Sequence, residues 1–278
     1  MSLFFYFEVN MIIDLDEKGI AIKTIFDGYD FLQHEVGKIL IPDSVVGKVL
    51  SSTFITNMYS NVNEFLQYCD NNLDKYSLEH YIVTPLMHKY KVGIYSLMDC
   101  FDINNPLRNK NYVLFNSYVI EPLLKVYPFL KDTLFWVCPA FNENGECEAI
   151  GFRVVDKQTV LNSFKWLFTC GNNIIYGKNT VDKNKTCYVV EGFRDYVALH
   201  ELGHNVIGLG SVVISKHQQR YIDELNDVIL LLDNDNFGLQ KTIRYKDKYR
   251  IATLTNTEEK DAYDTWLRYN KVNIVEIK

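Results

Sequence analysis

A chain of 278 residues with 29 Lys and Arg, 35 Asp and Glu and a formal net charge of −6 is long enough to bury one large core or two ordinary ones. At 47% hydrophobic and 23% charged it falls outside the disordered and fibrous classes, and its acidic balance argues against a polycation that binds nucleic acid along its whole length. No apolar run reaches the roughly 18 residues of a membrane span, the start Met1-Ser2-Leu3-Phe4-Phe5 lacks the basic flank of a secretory signal, and six cysteines without a CxxC pair exclude an ordinary zinc ribbon and point to reduced thiols in the cytoplasm.

In chain order, residues 1–105 form an acidic region, with 7 basic against 14 acidic side chains. Strands are predicted at 3–7 and 20–25, and helices near 62–69 and 78–87; the residues there suggest no chemistry. Residues 106–185 carry 10 basic against 7 acidic side chains, so a polyanion contact is expected first in this segment. It reads as a helix over 122–130 and a strand over 134–139. The turn Asn142-Glu143-Asn144-Gly145 and a strand over 147–155 then complete a hairpin.

Residues 186–278 carry 12 basic and 14 acidic side chains and alternate regularly. Strands at 187–190, 205–209, 228–232 and 250–254 are separated by helices at 193–202, 215–225 and 238–249. The third strand, Val-Ile-Leu-Leu-Leu, is apolar throughout, as a strand buried on both faces must be. This alternation predicts βαβ units and a parallel sheet, in which ligands bind beyond the carboxyl ends of the strands.

The carboxylates fall at those ends. Glu191 follows the first strand, Asp233 and Asp235 follow the third, and Asp261 and Asp264 come after the fourth. Carboxylates gathered on one edge repel unless cations sit among them, and hard oxygen donors suit Mg²⁺ or Mn²⁺. Asp195 falls in the first helical turn after Glu191, where the helix dipole favours an anion. Residues 233–238 also read as an Asx-rich turn. They do not begin a calcium loop, because Phe237 and Arg244 stand at its fifth and twelfth positions and neither offers an oxygen there.

Val189-Val190-Glu191-Gly192-Phe193-Arg194-Asp195, Leu209-Gly210-Ser211, Leu231-Leu232-Asp233-Asn234-Asp235 and Lys260-Asp261-Ala262-Tyr263-Asp264 resemble the Toprim domain of primases, topoisomerases and some nucleases. Upstream, Cys138-Pro139-Ala140-Phe141, Asn144-Gly145, Ala149-Ile150-Gly151-Phe152-Arg153, Phe164-Lys165-Trp166 and Ile175-Tyr176-Gly177 resemble the lead-in of bacterial and phage DnaG-type primases. Together these segments cover about residues 120–270. The resemblance implies an α/β fold: a C-terminal Toprim domain with a small parallel sheet flanked by helices (186–278), preceded by a basic α+β primase-type subdomain (106–185). It implies Glu191, Asp233 and Asp235 as metal-binding acids for two Mg²⁺ or Mn²⁺ ions, with Asp195, Asp261 and Asp264 as supporting catalytic acids. It also implies Arg153 and Lys165 as phosphate contacts, and Trp166 is the best candidate for stacking on a base.

The expected function is a cytoplasmic, phage-like DNA-dependent primase of DNA replication. It would make short RNA primers from nucleoside triphosphates on a single-stranded DNA template, with a replicative helicase or another replication protein as a possible partner. The pattern departs from the family at Val155, where a second Arg is usual, and no amino-terminal zinc-binding set is present. A Toprim nuclease shares the same acids, and a non-catalytic replication module is the alternative outside enzymes.

His200-Glu201-Leu202-Gly203-His204 is the competing motif: on a helix, histidines one turn apart bind zinc and the Glu serves as general base. The extended zinc-protease pattern fails at Ile207 and Gly210. The helix is predicted to end at Gly203-His204-Asn205, leading into a strand, which puts His204 at a fraying C-cap. Glu224 can be imagined as a third ligand, but nothing in its surroundings supports the role, and His217 reads as a surface helix residue.

Overall fold

The structure, a computed structural model, describes residues 3–7, 11–15, 21–26, 29–30, 62–75, 81–96, 133–155, 166–168, 173–211, 213–231, 233, 243–255 and 257–277. They divide into two compact units, one of residues 1–138 and 151–171 and the other of 139–150 and 172–278. No helix among the described residues is long and apolar enough to cross a membrane.

In the first unit, strands β1 (Leu3–Phe7), β2 (Met11–Leu15), β3 (Ala21–Phe26) and β4 (Tyr29–Asp30) form an antiparallel meander. Helix α1 (Val62–Asn71) lies where the sequence places it. The helix expected over 78–87 is shorter and later: Tyr81–Val83 is not helical, and α2 spans Thr84–Lys89. Val83 is extended, at φ −58° and ψ 137°. Pro85 has no N–H to give and a φ preset for the first turn, so it fixes the start there.

A second sheet has the order β5-β6-β7-β8, from β5 (Gly93–Ser96), β6 (Leu134–Phe141), β7 (Cys147–Val154) and β8 (Trp166–Phe168). The β6–β7 turn closes as an Asx turn, with the Asn142 side-chain oxygen accepting from the amides of Asn144 and Glu146. Phe65, Tyr95, Phe135 and Phe152 pack edge to face under this sheet, with centroids 5.3–6.5 Å apart. The helix expected at 122–130 lies outside the described residues.

The second unit carries the alternating segment. Strands β9 (Thr186–Val190), β10 (Val206–Gly208), β11 (Asp227–Leu231), β12 (Arg250–Thr255) and β13 (Asn273–Ile277) lie in the order β10-β9-β11-β12-β13. Helices α3 (Phe193–Glu201) and α4 (Lys216–Ile222) connect the first three. From β9 the chain steps to one side, to β10, and then crosses back to the other, to β11. Right-handed crossovers in opposite directions put α3 and α4 on opposite faces. Accordingly Tyr221 and Ile222 of α4 share one core with Cys187, Val189, Ile207, Val228 and Leu230. Tyr188, Val190, Ile229 and Leu231 point to the other face by strand alternation.

One expectation for this unit is corrected and one is extended. The helix foreseen over 238–249 does not form in its described part, where Ile243–Tyr245 is a 3₁₀ turn. Tyr245 bonds the Ile214 amide, and Lys248 and Tyr249 reach Asp223 at the end of α4; these tertiary contacts override the local helical pattern. The four predicted strands β9, β10, β11 and β12 are parallel, and a fifth that the sequence reading lacked makes the sheet mixed. Helix α5 (Ala262–Tyr269) ends in a left-handed Asn270, and β13 then pairs antiparallel with β12, Asn273 opposite Thr255. The chain re-enters the sheet at the end where it left and can only run back.

The Tyr176-Gly177 pair extends the edge of this sheet. Tyr176 exchanges both backbone hydrogen bonds with Gly208 and its buried ring meets Phe193 at 4.9 Å. Gly177 has φ +89°, and a Cβ there would lie 2.6 Å from the Tyr196 ring and 2.9 Å from the Val206 carbonyl oxygen. Gly177→Ala is therefore expected to destabilise the protein by about 2–4 kcal/mol, from strained backbone and overpacking together. Urea unfolding at constant m-value measures it, and a loss under 1 kcal/mol would contradict the packing.

Candidate active site

Register places the acids. Val190 pairs with Leu231 across parallel β9 and β11, so Glu191 and Asp233 leave the carboxyl ends of neighbouring strands. These two strands flank the point where strand order reverses, which is where open α/β sheets bind their ligands. Asp261 approaches the same end from the loop after β12.

Asp195 does more than sit in the first turn of α3. It is 7% exposed, and its Oδ1 accepts the Tyr263 backbone N–H at 3.2 Å, which ties α3 to α5. Gly192 at the N-cap leaves room for it, since a Cβ there would be 2.9 Å from Oδ2. Burial, followed by the charges of Asp261 and Asp233, pushes the Asp195 carboxyl up to about 8, against the smaller pull of Arg194.

Asp261 caps α5, with Oδ1 accepting from the Asp264 amide at 2.8 Å. Two cations link the acids. Arg194 lies 2.6 Å from Asp264 Oδ1 and 3.5 Å from Asp261 Oδ2, and its guanidinium stacks 4.5 Å over Tyr263. Lys260 Nζ lies 3.5 Å from Asp233 Oδ2 and 3.9 Å from Asp261 Oδ2. Asp195, Asp233, Asp261 and Asp264 thus share one electrostatic site. Glu191 stands half-buried at its rim, and Asp235 lies outside the described residues. Arg194 and Lys260 were not singled out from the sequence, although each immediately precedes an acid in the motifs.

Among the described residues no three His, Cys, Asp or Glu side chains gather closely enough to hold a metal ion. The donor chemistry nevertheless suits a hard divalent cation. It consists of carboxylate oxygens alone, those of Asp195, Asp233, Asp261 and Asp264 standing near the cations Arg194 and Lys260.

In the other unit, Arg153 and Trp166 are directly paired across β7 and β8. The Arg153 guanidinium lies 5.0 Å from the Tyr81 ring and 5.4 Å from the Trp166 ring. Tyr81 stacks on buried Trp136, and Trp166 stacks on Phe168 at 5.4 Å and 12°. Arg153 forms no ion pair among the described residues. Among the described residues it is a cation held by aromatic faces. Tyr81 belongs to the acidic first third, in which the sequence showed no chemistry. Lys165 lies outside the described residues.

The HExxH string does not form a zinc site. Helix α3 ends at Glu201 and closes with the paired bonds His204 N to Leu199 O and Gly203 N to His200 O, with Gly203 at φ +82°. His204 is thereby off the helix and stacks edge-on to Tyr188, whereas His200 stacks on Tyr196. Glu224 is engaged by Lys183 at 2.7 Å.

Residues 188–265 match the family model described as Toprim-like. A DNA primase of Clostridium acetobutylicum is 28% identical over 213 residues, covering 70% of this chain and 35% of the relative. A DNA primase of Rickettsia prowazekii is 27% identical over 182 residues, covering 62% of this chain and 27% of the relative. The chain therefore spans about a third or less of the length of these relatives. A solved DNA primase domain from Pseudomonas aeruginosa shares the fold at a TM-score of 0.54, with 15% identity, over 76% of this chain and 74% of that one. In sequence the chain is similar to bacterial DNA primases and in fold to a DNA primase domain, and its residues 188–265 match the Toprim-like family model.

Proposed function

We propose that the chain is the nucleotidyl-transfer core of a cytoplasmic DNA-dependent primase that joins ribonucleotides into short primers on single-stranded DNA. The observation that carries this reading is the surplus of carboxylates at the strand-order reversal of the Toprim-like sheet, in a chain whose curated relatives are primases. Glu191, Asp233 and Asp235 would hold Mg²⁺ or Mn²⁺, with Asp195, Asp261 and Asp264 in support. Two such ions, when bound, supply the acidification of a 3′-hydroxyl and the neutralisation of a departing pyrophosphate.

The chain's own residues do the rest. Arg194 holds Asp261 and Asp264 in a fixed relation across α3 and α5, so the supporting acids keep their positions as charge in the site changes. In the basic segment 106–185, Arg153 and Lys165 contact template or nucleotide phosphate, and Trp166 offers a ring face to a base. Such contacts carry no sequence information, so a replicative helicase or another replication protein would supply start-site choice.

The test is incubation of the full chain with single-stranded DNA, labelled ribonucleotides and Mg²⁺ or Mn²⁺. Short RNA products are expected. Cleavage of the template without them would replace the primase reading with a Toprim nuclease. In the same assay series, Arg153→Ala is expected to weaken binding to all single-stranded DNA sequences alike and to reduce the salt slope by about one. An unchanged slope would remove Arg153 from the phosphate contacts.

A further inference from the structure

We propose that Lys260 is a resident counter-cation of the carboxylate site, holding by its ammonium group the charge position beside Asp233 that a divalent cation takes over, and so setting the site's affinity for metal. The inference rests on the reading of Asp233 as a metal-binding acid.

Two cations face the acids, and they differ in how they are held. Arg194 is fixed by a 2.6 Å contact to Asp264, a second carboxylate and the Tyr263 ring face. It belongs to the α3–α5 framework and cannot leave without breaking it. Among the described residues Lys260 has the looser approaches of 3.5 Å to Asp233 and 3.9 Å to Asp261, on a side chain that is 57% exposed. A lysine ammonium on four rotatable carbons moves out at little cost.

The surplus charge explains why a cation is kept there at all. Asp195 is buried with Asp233 and Asp261 as like-charged neighbours, so removing the Lys260 charge from beside Asp233 would raise the repulsion further. A divalent ion bound at Asp233 would meet that ammonium at short range, and the two repel. Metal binding therefore includes displacement of Lys260, and part of the metal's attraction for the site is spent on it.

The test titrates Mn²⁺ into the full-length protein without nucleotide or DNA and reads free Mn²⁺ by electron paramagnetic resonance. Lys260→Gln is expected to bind Mn²⁺ about tenfold more tightly than wild type, while Lys260→Arg, which keeps the charge, stays within about twofold. A merely structural lysine would give weaker binding or none of this charge dependence. Asp233→Asn is the companion variant. If it weakens Mn²⁺ binding while Lys260→Gln leaves affinity unchanged or lower, the counter-cation role is overturned and the metal site stands. If Asp233→Asn binds like wild type, the metal-site reading fails and the lysine's role falls with it.

Discussion

Asp233→Asn is expected to reduce primer synthesis at least 100-fold while leaving the protein as stable as wild type or slightly more so. The two halves of this result come from one fact. Among the described residues the cation beside Asp233 is Lys260, 3.5 Å away on a side chain that is mostly in water, and a partly exposed pair at that distance contributes roughly 0–1 kcal/mol. Against that, the Asp233 charge is one of those that push Asp195 upward. Removing it relieves repulsion as much as it removes attraction.

Catalysis depends on the same charge in the opposite sense. A carboxylate that holds the ions neutralising a departing pyrophosphate is felt mainly in the transition state. Loss of about 2.7 kcal/mol there is already a factor of 100. Primer yield with urea unfolding of the same preparation gives both quantities. A variant retaining a tenth or more of the activity would show that Asp233 is not among the metal-binding acids. A variant that unfolds far more easily would show that the acid cluster is structural rather than held ready for a cation.

Most of this site could be read from the chain, and the reason is local. β9, α3, β10, α4 and β11 are each defined by their own residues: the apolar run 228–232, the Ser215 cap with Gln218 three positions on, and the Glu191-Gly192 turn. Their register then follows from the βαβ rule, and the acids arrive at one edge without further information. Legibility ended where tertiary contact decides the outcome. The segment 243–249 follows a helical pattern but obeys Tyr245, Lys248 and Tyr249 reaching across to α4. The antiparallel β13 depends on a left-handed Asn270 and an eight-residue helix that returns the chain to the edge it left.

The contribution of Tyr81 to the setting of Arg153 links segments some seventy positions apart, and no periodicity encodes such a pairing. Asp195 was legible as an acid in a first helical turn. Its burial against α5 was not, because α5 itself was not foreseen.

That burial gives the second large effect. A carboxyl held at about 8 in the folded protein and near 4 in the unfolded chain binds more protons when folded, over the whole interval between. The excess makes stability fall as pH rises: the contribution of Asp195 is fully present below about pH 4 and is lost progressively as pH climbs towards 8, at up to about 1.4 kcal/mol per unit.

Asp195→Asn removes the titration and keeps an oxygen for the Tyr263 amide. The variant should therefore be more stable than wild type at neutral pH by a few kcal/mol, with the gap widening from pH 5 to about 8 and level beyond. Urea midpoints of the two proteins across pH 5–9, without divalent ions, measure that gap directly, and titrating groups outside the acid cluster cancel in the difference. Parallel curves would mean that Asp195 is not raised and that the acids around it do not interact as their burial requires. A widening gap would mean that the fold holds a buried carboxyl at a cost in its own stability, beside acids whose charge opposes its ionisation.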